Sequence, residues 1–176
     1  MKLGKAQGFA LIDIIFVCGI IGLLAGIALP SMLKAKQSAA GASAVGTMRS
    51  INSAELTFAL TCGNGFYAPN LTTLGFPPAG SHEPFLGGGL TGSDTVLKSS
   101  YSFRIEGAAY STAPASCNGL DVGEAAQGFI AIAEPTEPTN PRFFATNASG
   151  SIYEHNASLY AIMPEVGEPS AGHVIH

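Results

Sequence analysis

The stretch GFALIDIIFVCGIIGLLAGIALP, residues 8–30, decides how this chain is read. A short polar leader holding Lys2 and Lys5 precedes it, and residues 9–29 are apolar apart from one charge, Asp13. About 20 apolar residues rising about 1.5 Å each span a hydrocarbon core of roughly 30 Å, so the run has the length of a membrane helix. A carboxylate inside such a run costs on the order of 2.5–3.5 kcal/mol on insertion scales, which marks Asp13 as a functional position.

Three simpler readings of the run fit less well. A secretory signal has an apolar core of about 7–15 residues and then a cleavage site. Here the run is longer and continues past Pro30 into SMLKAKQSAAGASAVG, which keeps a helical composition. A lipoprotein signal places a small residue before its cysteine, whereas Cys18 follows Val17. A plain anchor explains the length and the following Lys34 and Lys36, but neither Asp13 nor the Gly8–Phe9 junction.

Gly8, Phe9, Asp13 and Pro30, taken with the apolar run, resemble the processing region of type IV pilins and of the pseudopilins of type II secretion. The resemblance implies that a membrane-embedded prepilin peptidase/methyltransferase cuts after Gly8 and methylates the new N-terminus at Phe9. It places the family's acidic fifth mature residue at Asp13 and its proline at Pro30. The family usually has glutamate at the fifth position, and Asp13 is one methylene shorter. There the carboxylate is thought to meet the N-terminal ammonium of a neighbouring subunit, and a buried charge is tolerated mainly when paired. The alternative is that Asp13 only favours the positive end of the helix dipole. Residues 48–75, with SINSAELTFA and GFYAPNLTTLG, resemble the corresponding region of short pilins and pseudopilins more weakly.

The expected fold is α+β and pilin-like: one long N-terminal helix, half membrane-embedded and half amphipathic, packed on a small antiparallel sheet. Residues 1–8 form the leader, 9–33 the assembly half of the helix, and 34–176 the exported domain. The helix is expected to run to about residue 60, or about 78 Å if unbroken. Pro30 should kink it or locally break its hydrogen bonding. Gly19, Gly22 and Gly26 would let neighbouring helices approach closely, although glycine is also common in membrane helices. Val45, Met48, Ile51 and Phe58 recur at helical spacing, with Glu55 as an imperfection in the stripe. Gly63 and Gly65 should end the helix. Residues 61–100 then read as a connector rich in Gly, Pro and Ser. Strands are expected at 101–105, 129–133, 142–146 and 151–154, with a hairpin turn over residues 147–150. The last twenty residues read as an irregular, loosely held tail.

Length and charge narrow the functional classes. The chain has 176 residues with a formal net charge of -4, enough for one membrane segment and a domain of about 110–120 residues. Beyond Gln37, four basic residues face eleven acidic ones. That acidic balance lacks the electrostatic footprint of direct nucleic-acid binding. Cys18 reads as a small apolar residue. Cys62 and Cys117, on the exported side, are expected to form a disulfide closing a loop of about 55 residues, the alternative being two free thiols. His82, His155, His173 and His176 lack metal-ligand spacing, HExxH, CxxC and CxxCH are absent, and the glycines around Gly87 lack the phosphate-loop pattern. Glu134, Glu137, Glu165 and Glu168, spread among prolines, form no clear calcium loop. No catalytic residue, metal or cofactor is expected. Asn70, Asn147 and Asn156 each begin an N-x-[ST] triplet, a pattern that often arises by chance.

The resemblance therefore implies a structural subunit rather than an enzyme. Its partners would be copies of itself or related pilins in a helical filament, the prepilin peptidase/methyltransferase, an inner-membrane assembly platform, and lipid before assembly. The precursor would sit in the inner membrane with its leader cytoplasmic, and the mature form in a periplasmic or cell-surface filament. Two alternatives stay open: a minor pilin or pseudopilin of a secretion or competence system, and an anchored exported binding domain that never polymerises.

Overall fold

The computed structural model describes residues 11–175. The chain divides into two compact units, one ending at Ala39 and one beginning at Ala40. Helix α1, Leu11–Thr61, contributes to both. The helical run continues through Pro30, whose ring removes one backbone donor from the helix.

In the second unit, α1 is followed by the single-turn helix α2 (Leu71–Leu74) and six strands: β1 (Thr95–Lys98), β2 (Tyr101–Glu106), β3 (Ile130–Pro135), β4 (Phe143–Asn147), β5 (Ile152–His155) and β6 (His173–Ile175). All neighbours are antiparallel, and spatial order follows chain order. The expected α+β layout, a long helix packed on an antiparallel sheet, is what the chain adopts.

Two strands were not expected from the sequence. β1 lies inside the stretch read as a connector, and β6 inside the stretch read as a loose tail. β6 pairs with β5 in the register Tyr153–Val174. Ahead of it, Leu159 and Met163 join Ala145 and Tyr153 in a small apolar cluster. The tail is held because it covers one face of the sheet.

The opposite face carries the main core. Ala44, Met48, Ile51, Ala54 and Phe58 from α1 meet Tyr101, Phe103 and Ile105 of β2, Ala131 and Ala133 of β3, Phe144 of β4 and Ile152 of β5. Alternation along a strand sends successive side chains to opposite faces, so Phe144 and Ala145 enter different clusters, as do Ile152 and Tyr153. Coverage of both faces explains the continuous burial from Phe144 to Asn147, where a one-sided sheet would show strict alternation.

The close of α1 uses both glycines that the sequence singles out. Amides of Cys62 and Gly63 donate to the Phe58 carbonyl, and that of Gly65 to the Ala59 carbonyl. Gly65 has φ +91°, a left-handed conformation that glycine adopts at little cost. Gly63 is needed for space, because a Cβ there would lie 2.2 Å from the Phe66 carbonyl oxygen and 2.7 Å from the Phe58 ring. The expected β4–β5 hairpin is also present, with Gly150 at φ +79° and its amide donating to Asn147.

Candidate assembly surface

The N-terminal unit supplies the candidate assembly surface. Every residue from 11 to 36 is exposed. Fourteen large apolar side chains between Leu11 and Leu33 stand in the open, with Leu23 75% and Ile27 76% exposed. At roughly 1.5–3 kcal/mol per buried side chain, leaving these in water forgoes about 20–40 kcal/mol. The helix is long and apolar enough to serve as a membrane anchor. Asp13 lies in the first turn of α1, Gly8 and Phe9 fall outside the described residues, and Cys18 is a free exposed thiol. Beyond the adjoining turns of the helix itself, Gly19, Gly22 and Gly26 have no atom within 4 Å of where a Cβ would stand. Folding of the isolated chain gives no steric reason for glycine at these three positions.

In the second unit, the chain after α1 is tied down covalently. Cys62 and Cys117 form the expected disulfide, with Cα atoms 4.9 Å apart. Backbone bonds reinforce it: the Cys117 amide donates to the Cys62 carbonyl at 3.2 Å, and the Ala79 amide to the Cys117 carbonyl at 3.3 Å. Beside the bridge, the Asn118 side-chain amide donates to the Thr73 and Phe76 carbonyls. The bridge thus joins the end of α1, the α2 region and the turn around Cys117 into one assembly.

Glu55, an imperfection in the sequence pattern, is fully buried. One carboxyl oxygen accepts from the Ala68 amide at 2.9 Å, and the other has no partner. Burial pushes its pKa well above the usual carboxylate range, and the Ala68 hydrogen bond opposes this in part. The bond pins the chain leaving α1 back onto the helix, thirteen residues along. A carboxylate placed between Ile51 and Phe58 on the buried stripe was the available sequence signal. Its partner was not legible, because a backbone amide carries no residue-type signature.

The acidic balance of this unit is partly offset by internal pairs. Arg142 bonds Glu154 through two nitrogens, at 2.9 Å from Nη2, and also lies over the Phe144 ring. Gly41 makes room for it, since a Cβ there would lie 2.8 Å from Arg142 Nη1. The hydrogen bond from Arg142 holds Glu154 below the usual carboxylate range. Arg104 pairs with Glu106 at 3.5 Å and stacks 3.7 Å from the centroid of the Tyr160 ring.

The three N-x-[ST] asparagines have different surroundings. Asn70 caps α2 by accepting from the Thr73 amide. Asn147 is buried and donates to the Pro164 and Gly167 carbonyls, and Asn156 is exposed. Among the described residues, no group of three or more His, Cys, Asp or Glu is placed to hold a metal ion. Comparison with known proteins returned no matching family model, no matching curated protein and no matching solved structure.

Proposed function

We propose that this chain is the structural subunit of a type IV pilus-like filament, made as a precursor and cut after Gly8 by a prepilin peptidase/methyltransferase. The observation that carries the reading is the segment from Leu11 to Leu33, an uncovered apolar helix with one carboxylate, Asp13, in its first turn. Before assembly, lipid of the inner membrane covers that surface; in the filament, helices of neighbouring copies replace it. Cleavage creates an ammonium at Phe9, and Asp13 of an adjacent copy neutralises it. Apolar packing is non-directional, whereas one charge pair sets axial register, as polar residues do in coiled coils. The shorter reach of Asp13 relative to glutamate leaves a second reading open, a minor pilin or a pseudopilin.

The test is intact mass and N-terminal sequence of protein from sheared surface filaments and from membranes. A chain beginning at methylated Phe9 and abundant in the sheared fraction supports a main filament subunit. The same chain confined to membranes supports the minor-subunit reading. A chain still beginning at Met1, in cells containing the peptidase, overturns the proposal and leaves an anchored domain that does not polymerise.

A further inference from the structure

The unit beginning at Ala40 holds four cations among the described residues: Arg49, Lys98, Arg104 and Arg142. Arg104 and Arg142 are engaged with Glu106 and Glu154. Arg49 and Lys98 have no carboxylate within 4.0 Å among the described residues, and both line one groove of about 600 Å³. The groove runs between the α1 face bearing Arg49, Ser50, Ser53 and Thr57 and the loop from Phe85 to Leu90. Leu86 and Leu90 are anchored in the core, which gives it a firm wall. Eleven acidic residues lie in the same unit, and none lines this groove.

Its formal charge is one-sided. The Ser50 hydroxyl donates to the Gly46 carbonyl and the Thr57 hydroxyl to the Ser53 carbonyl. The side-chain donors left for a visitor are the Arg49 guanidinium, the Lys98 ammonium and the Ser53 hydroxyl. All three suit a carboxylate. The unit as a whole carries seven more acidic than basic residues, so identical copies packed side by side repel one another unless their charges interlock.

We propose that the Arg49–Lys98 groove is a contact between copies of this chain, receiving an acidic surface segment of the neighbouring copy. Glu83, Asp121 and Glu168 are exposed carboxylates available for that role. The assignment rests on the filament reading and adds to it a second charged contact, independent of Asp13 and located in the exported unit.

Lys98 is the only lysine after Lys36, which makes the test site-specific. Filaments assembled from a mixture of ¹⁵N-labelled and unlabelled full-length chains are treated with a zero-length carbodiimide, which joins an amine to a carboxylate in direct contact. The expected product is a peptide joining Lys98 of one isotope to Asp or Glu of the other, lost in Lys98→Gln. The double variant Arg49→Gln/Lys98→Gln should lower sheared filament yield at least fivefold while its thermal unfolding stays unchanged. Wild-type filaments giving Lys98 crosslinks only within a chain, or only to a different protein, overturn the groove assignment and leave the filament reading standing. Undiminished filament yield in the double variant overturns it equally. Wild-type chains that form no filament overturn the filament reading, and this contact with it.

Discussion

Removing the Cys62–Cys117 bridge should lower stability by about 4 kcal/mol. The bridge closes a loop with a sequence separation of 55 residues. In the chain-entropy model, a loop of that length restricts the unfolded state by about 14 cal/mol/K, or ~4 kcal/mol at 25 °C. Unfolding a unit spanning residues 40–176 releases on the order of 290 cal/mol/K. The loss therefore corresponds to a fall in Tm of about 14 °C. The assay is thermal unfolding of the full chain in detergent micelles, followed by circular dichroism, with Cys62→Ser/Cys117→Ser compared against its parent. Both should carry Cys18→Ser, because the exposed thiol could otherwise exchange with the bridge. The double variant should retain native strand signal at 20 °C, since Glu55, the Asn118 side chain and the main core still hold the region. A fall below about 4 °C would refute the argument. It would mean that the unfolded chain already keeps this loop closed, or that the native state gains nothing from the link.

Three further outcomes follow from other contacts. Glu55→Gln should flatten the pH dependence of stability. The folded state holds the Glu55 pKa above its unfolded value, so as pH rises from acid the unfolded chain ionises first and stability falls until the folded value is passed. The variant should match wild type near pH 4 and exceed it at pH 8 by on the order of 1–3 kcal/mol, read from urea midpoints; equal curves would remove the buried acid from the account. Gly63→Ala should cost about 2–3 kcal/mol by driving a Cβ into the Phe66 carbonyl, and an unchanged midpoint would show that the turn yields freely. On the filament proposal, Asp13→Ala and Gly22→Leu should leave unfolding of the second unit unchanged while reducing sheared filaments at least tenfold. Wild-type assembly of Asp13→Ala would end the register role, and of Gly22→Leu the close-packing role.

The elements legible in the sequence were those whose pattern is local and sustained. Tyr101, Phe103 and Ile105 alternate with polar partners, and β2 appears where that alternation stands. The stripe through Met48, Ile51 and Phe58 lies on the buried face of α1. β1, β6 and α2 have four, three and four residues, too few for a period to emerge, whereas the equally short β5 was marked by the hairpin turn before it. β6 also lies just after Gly172 and depends on β5, about twenty residues earlier, for its bonds. The cysteine pair was legible because only two cysteines lie beyond the apolar run. The Arg142–Glu154 pair was not, since it depends on β4–β5 register and on the space left by Gly41. That neither Arg49 nor Lys98 meets a carboxylate among the described residues is likewise a property of the folded surface.

The β1 end of the sheet limits how crowded copies can associate. β1 offers only four residues of open edge. Just beyond β1, Ser99 and Ser100 both take positive φ and reverse the chain sharply into β2. Stray strand addition needs a long, flat, unpaired edge, and short edges bearing a lysine are a recognised defence against it. Crowded copies would thus find few rungs on which to grow a continuous sheet from molecule to molecule. Sideways amyloid-like growth is starved at its templates, while the larger apolar surface is the exposed segment of α1 from Leu11 to Leu33.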